Sequence, residues 1–438
     1  MMRKAALASL AIAALGLSGL AFSDTSANFA GLPGSPKGSG QALRLRSGQA
    51  SSGAAAGSVR GSLPADLADA YAYPGRADYQ ASEARGRGGA FLEVSWQSWV
   101  FTGFPENDRA RAFYFAPKGE GRRPAILLLH TLGTKYARDE QALCRHLAAH
   151  GIGAMLLVLP FHMRRAPAGT ESGALMFGRR MRYTAQAFRQ AVIDARTAAD
   201  WLEMRPELDP ERMGIVGISL GAVISPIALA VEPRFKVGVL VLGGGDLRRI
   251  SREGLSVLKF GWKASSAAEL ERQIRYMEPL EFAPYASEKK IFMINARYDL
   301  LIPKKSAEAL WEAFGKPKIV WLDTGHYGVR LGKRGVYSAV ESFLATSFGL
   351  RSEPLPPVRV PGVHFGIAWA GEGQARVFAG LHLRRIGSRG DLNISLGNRG
   401  VSVDLVVNVA PALIAGATVY RWHGDTKVSP MAGLQFTF

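Results

Sequence analysis

The 438-residue chain contains a single cysteine, Cys144. This excludes an internal disulfide and a cysteine-based zinc site, so the core must hold without covalent staples. Cys144 falls in the helical spacing Glu140, Leu143, Cys144, Leu147 and reads as a small buried hydrophobe rather than a reactive thiol. Past the N-terminal segment no run of about 18 apolar residues free of charge occurs, which excludes a polytopic helical membrane protein. Acidic residues are in the minority, 36 against 54 Lys and Arg, for a net charge of +18. The positive excess is spread along the chain, with no polybasic arm and no nucleic-acid recognition motif, so no specific nucleic-acid partner is expected. Such a diffuse surface would attract anionic lipid, lipopolysaccharide or nucleic acid only weakly and without specificity.

What is present begins with an export pattern. Met1, Met2, Arg3 and Lys4 precede an apolar run, Ala5 to Phe22, and small-residue cleavage positions follow after Ser23 or Ala27. The other reading of this run is an uncleaved membrane anchor; no cysteine follows it, as a lipoprotein anchor would need. The expected organisation is a signal peptide over residues 1–27 and a disordered Gly/Ser/Ala-rich linker over 28–65, then an α/β domain over 66–350 and an antiparallel β domain over 351–438. The expected location is periplasmic or secreted, with outer-membrane association as a further reading.

From Phe91 the texture changes. Phe91–Phe101 and Ala110–Ala116 read as strands on either side of a turn-rich segment. Short apolar runs follow at Ala125–Leu129, Ile152–Leu159, Met213–Gly217, Val237–Leu242, Ile291–Asn295 and Ile319–Leu322, each fitting a strand buried on both faces. Helical patterns occupy Ala137–His150, Ala185–Met204, Gly221–Ala230, Ser306–Phe314 and Gly335–Phe348. This alternation predicts an α/β fold: a doubly wound, mostly parallel sheet with helices on both faces and ligands at the carboxyl ends of its strands.

Gly217-Ile218-Ser219-Leu220-Gly221 stands where the Met213–Gly217 run ends and a helix of small and apolar residues begins. The bare pattern is weak, but a sharp strand-to-helix turn exposes the serine at its tip, and flanking glycines let the two backbones pass closely. A serine hydroxyl needs a base and a group that orients the base. The next strand ends offer Asp299 and His326, both in loops on the same edge of the sheet as Ser219. Asp323, three residues before His326, is the local competitor and reads as a turn cap. An oxyanion hole needs two donors aimed at one point. The Leu220 N–H is one; the other is expected from the loop His130-Thr131-Leu132-Gly133-Thr134, with Leu132 favoured and Thr131 the runner-up.

These residues resemble the α/β-hydrolases, and within them dienelactone hydrolase-like and acetyl xylan esterase-like members. The resemblance rests on His130-Thr131-Leu132-Gly133, on Asp209 through Gly221, on Asp299-Leu300-Leu301-Ile302-Pro303 and on Gly325-His326, and covers roughly residues 90–350. It implies an α/β-hydrolase sheet, with Ser219 as nucleophile, His326 as general base and then acid, and Asp299 holding the imidazole tautomer. The chain departs from the pattern in carrying His-Thr where His-Gly is usual. Dienelactone hydrolases proper use a cysteine nucleophile, and Ser219 moves the chain toward the esterase side.

The function so implied is an exported serine hydrolase that cleaves small-molecule carboxylic esters through an acyl-enzyme, without cofactor or metal. Two other readings stand beside it: a peptidase using the same triad, and a catalytically silent envelope-binding protein whose C-terminal sheet carries the function. The sequence names no oligomeric state. His130 reads as a structural loop group, and His162 as a rim histidine that could touch substrate. His146 and His150 lack the glutamate and third ligand of a zinc site. Two long connections, 161–184 with Arg164, Arg165, Arg179, Arg180 and Arg182, and 246–284 with Trp262 and Met277, are expected to cap the pocket. The arginines read as a solvated face, or else as a preference for an anionic substrate.

Past Pro354-Leu355-Pro356-Pro357 the hydrophobic period becomes two, and about six strands are expected in an antiparallel β-meander. The closing Leu434, Phe436, Phe438 alternation resembles the last strand of outer-membrane barrels, and Trp369, Tyr420 and Trp422 near strand ends fit a lipid-facing surface. Six strands fall short of the eight of a single-chain outer-membrane barrel, so the expectation is a partial sheet. It could be an ordinary soluble β domain packed on the hydrolase, or a sheet that associates between chains or with an envelope surface.

Overall fold

The computed structural model describes residues 62–438 apart from 87–88, 178–180, 255–265, 361, 371–373, 387–389, 398–399, 411–412, 423–424 and 438. The expected signal peptide and nearly all of the expected linker lie outside the described residues, as do Arg179, Arg180 and Trp262.

Nine strands form one sheet: β1 (Gln80–Gly86), β2 (Gly89–Gln97), β3 (Arg109–Phe115), β4 (Arg123–Leu129), β5 (Gly153–Leu157), β6 (Leu208–Ile218), β7 (Phe235–Val241), β8 (Lys290–Ala296) and β9 (Lys318–Leu322). Their order is β1-β2-β3-β5-β4-β6-β7-β8-β9. β1, β2 and β3 pair antiparallel, as does β3 with β5, and every pairing from β5 to β9 is parallel. The fold is therefore the doubly wound, mostly parallel α/β sheet that the alternation predicts. β1 is an addition: its QASEARG sequence has no apolar alternation, and all but one of its residues are exposed.

Both faces of the sheet are covered, which explains the continuous apolar runs. Ala125, Leu127 and Leu129 of β4 pack with helices α2 (Met181–Glu203) and α3 (Leu220–Val231), whereas Ile126 and Leu128 pack with α1 (Arg138–Ala149) and α5 (Lys333–Ser347). A further helix, α4 (Lys304–Ala313), follows β8. Leu127 and Leu128 are fully buried, each stabilising the fold by about 1.5–3 kcal/mol relative to exposure. Cys144 lies in the α1 face of this core, and burial pushes its thiol pKa up.

The C-terminal strands β10 (Gly362–Ala370), β11 (Gln374–Ile386), β12 (Gly390–Gly397), β13 (Gly400–Ala410), β14 (Leu413–Trp422) and β15 (Asp425–Thr437) pair antiparallel in sequence order. β15 also pairs with β10, so the expected open meander is in fact a closed barrel. Close strand approach makes closure with six strands feasible: a Cβ at Gly380 would lie 2.0 Å from the Ile394 carbonyl oxygen. Register breaks near His382 and Asn408 add local bends. Trp369 is exposed as expected, but Tyr420 is buried inside the barrel under the Arg376 guanidinium. The side chain of Trp422 lies outside the description.

Candidate active site

The site forms where the order of the strands reverses. β4 lies between β5 and β6, and Leu129 at its end is level with Gly217 of β6. The loop after β4 and the turn after β6 are thereby set side by side at the carboxyl edge, where this architecture binds ligands.

Ser219 occupies that turn with φ 54° and ψ −111°, a left-handed conformation that is costly for a residue with a side chain. Its neighbours hold it there: the Ser219 N–H donates to the Val241 carbonyl at 2.8 Å, and the Gly221 N–H to the His130 carbonyl at 3.2 Å. Gly221 cannot be larger, since a Cβ there would sit 2.1 Å from the Leu129 carbonyl oxygen. Leu220 opens α3 directly after the serine, where backbone N–H groups are left without helical acceptors.

The loops after β8 and β9 bring up the other two groups. They are tied together by Arg297 N–H to Leu322 O at 2.9 Å and Tyr298 N–H to Thr324 O at 3.1 Å. Asp299 is buried; its Oδ1 accepts the N–H groups of Leu301 and Ile302, both at 2.8 Å. Its Oδ2 lies 2.7 Å from His326 Nδ1, and His326 Nε2 lies 2.9 Å from Ser219 Oγ. A carboxylate can only accept, so Nδ1 carries the proton and Nε2 presents its lone pair to the serine hydroxyl. Asp323, the local competitor, instead pairs with Arg297 at 2.7 Å.

In the loop after β4, the Thr131 N–H donates to Glu140 Oε1 at 3.2 Å and the Gly133 N–H to His162 Nε2 at 3.1 Å. Thr131, the runner-up, is thus engaged elsewhere, and Leu132 lies between two anchored neighbours. His162 departs from expectation. It is fully buried, not on a rim; Nδ1 donates to the Pro160 carbonyl at 2.8 Å, leaving Nε2 to accept from Gly133. His130 is a matching brace: its Nδ1 donates to the Thr131 carbonyl at 2.7 Å, and its Nε2 accepts the Leu159 N–H at 3.0 Å. The two rings stack edge to face at 4.8 Å. Burial holds both neutral, lowering His130 to about 4 and His162 well below the usual histidine value. The tautomers and the brace depend on how residues 158–176 fold over the loop, which no local spacing announces.

The arginines divide. Arg164 is exposed and pairs with Glu93 at 2.9 Å, in keeping with a solvated face. Arg165 is fully buried against Asp194 at 2.8 Å, and its guanidinium also donates to the carbonyls of Asn107 and Val158. It is a structural ion pair rather than a substrate contact. Met277 is likewise a core residue, not a pocket wall. Tyr327, beside His326 at a ring distance of 5.6 Å, is a neighbour of the site that sequence spacing did not single out.

No family model matches the chain. The uncharacterized protein Rv2627c of Mycobacterium tuberculosis is 27% identical over 228 residues, 50% of this chain and 54% of that protein. YtaP of Bacillus subtilis, provisionally named a hydrolase, is 27% identical over 154 residues, 30% of this chain and 48% of that protein. The chain thus spans about half the length of these curated relatives. An acetyl xylan esterase from Paenibacillus sp. R4 is similar in structure with a TM-score of 0.49 and 18% identity, covering 62% of this chain and 90% of that one.

Proposed function

We propose that the protein is a serine hydrolase that cleaves carboxylic esters of small molecules through an acyl-enzyme. The observation that carries this reading is the continuous relay from Asp299 Oδ2 through His326 to Ser219 Oγ, with contacts of 2.7 and 2.9 Å. Ser219 Oγ attacks the ester carbonyl as His326 Nε2 takes its proton, and the Asp299 carboxylate stabilises the imidazolium that forms. The developing oxyanion is received by the N–H groups of Leu220 and Leu132, the first aided by the positive end of α3. Collapse breaks the bond to the alcohol, which leaves with the proton from Nε2, and Ser219 is left acylated. Water then gives its proton to Nε2 and attacks the acyl carbon, releasing the acid and restoring Ser219.

The reading assigns residues 66–350 to the catalytic domain and 351–438 to a β domain, and it places the enzyme outside the cytoplasm on the strength of the Met1–Ala27 pattern. A panel of p-nitrophenyl esters of increasing acyl length, run beside the matching anilides, tests it. Turnover of esters that disappears in Ser219→Ala supports the reading. Full activity in that variant refutes it, and cleavage of anilides but not esters converts the reading to a peptidase.

A further inference from the structure

The barrel has an apolar outer wall where a water-soluble one is polar, and its lumen holds a small apolar cluster, Ala368, Phe378, Val406, Ile414 and Met431, beside polar groups. The polar groups form a hydrogen-bonded network: Arg376 bonds Asp404, Ser402 and Thr418, while Ser395 bonds Asp404 and His364. All six of these side chains are buried. The outer wall is apolar on every strand, with Trp369, Val377, Leu396, Val403, Val419 and Leu434 exposed on β10 to β15 in turn. Among the described outward positions none is Asp, Glu, Lys or Arg, in a chain where charged residues make up 21%.

We propose that this wall is a lipid-contacting surface and that the barrel inserts into the hydrocarbon of a bilayer. Three physical arguments select lipid as the occupant. A second copy or a docked partner covers one arc of a cylinder, whereas apolar side chains here face outward around the whole circumference, and only a surrounding solvent reaches all of them. The closed ladder leaves no sheet edge, so its backbone groups are satisfied without water, as a spanning structure requires. The strands run from 8 to 13 residues, bracketing the roughly 9–11 that a tilted strand needs to cross a bilayer. The Arg376–Asp404 network and the apolar cluster around Phe378 and Met431 together occupy the lumen, which makes the barrel an anchor rather than a channel. One rim meets the hydrolase: the Tyr298 hydroxyl, next to Asp299, donates to Asp391 of β12 at 3.0 Å. Insertion would therefore hold the catalytic edge of the sheet close to the membrane surface. The net charge of +18 favours anionic headgroups there.

The inference is independent of the hydrolase reading and is tested without an activity assay. Because the native thiol of Cys144 is buried, single substitutions in the full chain report one place each once labelled with the polarity-sensitive fluorophore NBD. Val377→Cys, Leu396→Cys, Val403→Cys and Val419→Cys sample the wall, and Phe101→Cys, exposed on the hydrolase, is the control. Thermal unfolding establishes that each variant is folded. In phosphatidylethanolamine and phosphatidylglycerol vesicles, emission at every wall position is expected to be severalfold stronger and at shorter wavelength than at Phe101→Cys. It should be quenched by acyl chains bearing nitroxides, with no quenching at Phe101→Cys. The apolar Ala5–Phe22 segment cannot produce this pattern, because anchoring through it would leave the wall labels in water. Wall labels that stay water-like in vesicles overturn the inference. Protection of one arc only, accompanied by a doubled mass, also overturns it by identifying a second copy as the occupant.

Discussion

Replacing Asp299 by asparagine changes one atom and reverses the proton relay, for a reason that lies in the Asp299 loop. Oδ1 is held by two backbone donors, the N–H groups of Leu301 and Ile302 at 2.8 Å, and Oδ2 accepts the His326 Nδ1–H at 2.7 Å. In Asp299→Asn the two backbone donors keep the amide oxygen at the Oδ1 place, since the opposite orientation sets donor against donor. The NH2 then faces His326 Nδ1, which must accept, so the imidazole proton moves to Nε2. Nε2 now donates to Ser219 Oγ and can no longer take its proton. A fall of about 10⁴-fold in kcat is expected, the scale of the same swap in other serine triads. At 1.36 kcal/mol per decade this is about 5 kcal/mol of transition-state stabilisation. KM should move little, because Asp299 is buried and does not line the substrate position. The assay is steady-state hydrolysis of an activated ester, with the melting temperature measured alongside. A folded variant that loses less than about tenfold in kcat, or about 1.4 kcal/mol, refutes the assigned role of the carboxylate.

Stability should depend on pH through the buried histidines. His130 stays neutral in the fold down to about pH 4, whereas in the unfolded chain it takes up a proton near pH 6.5, so stability is lost as pH falls through this window and regained as it rises. The loss from His130 alone approaches about 3 kcal/mol, His162 adds to it in the same direction, and urea unfolding that is flat or steeper at high pH would contradict the assignment. Arg165→Met leaves the Asp194 charge buried without its partner and should cost about 3–5 kcal/mol, read by urea unfolding; a loss below about 1 kcal/mol would mean the pair is not desolvated. Gly221→Ala places a Cβ where the Leu129 carbonyl oxygen stands, so the elbow must shift, with an expected cost of about 1–3 kcal/mol and a fall in kcat. Unchanged kinetics and melting would show that the elbow is slack.

The placement of Ser219, Asp299 and His326 on one edge of the sheet is legible because its signals are local. A buried strand that runs directly into Gly-x-Ser-x-Gly and a helix specifies the turn at Ser219, and the same strand-then-loop logic positions Asp299 and His326. The brace made by His130 and His162 was not legible, because it requires a segment some thirty residues away to fold over the loop, as the contact between Gly133 and His162 shows. β1 was invisible for a related reason: as an exposed edge strand it buries almost nothing and needs no apolar alternation. In the C-terminal region, period two identifies which residues share a face but not which face is inside. Ile414, Thr418 and Tyr420 share a face with the lumen network, while Val401, Val403 and Leu405 face outward. Closure rests on β10 pairing with β15, a long-range contact whose local sequence reads the same in an open sheet.

The most direct test of the central claim is labelling of the purified chain by a fluorophosphonate, which reacts only with a serine whose proton is being withdrawn. The account predicts labelling of the wild type and its loss in both Ser219→Ala and His326→Ala, with melting temperatures preserved. A folded wild type that does not label, or a Ser219→Ala variant that labels as well as the wild type, would contradict it.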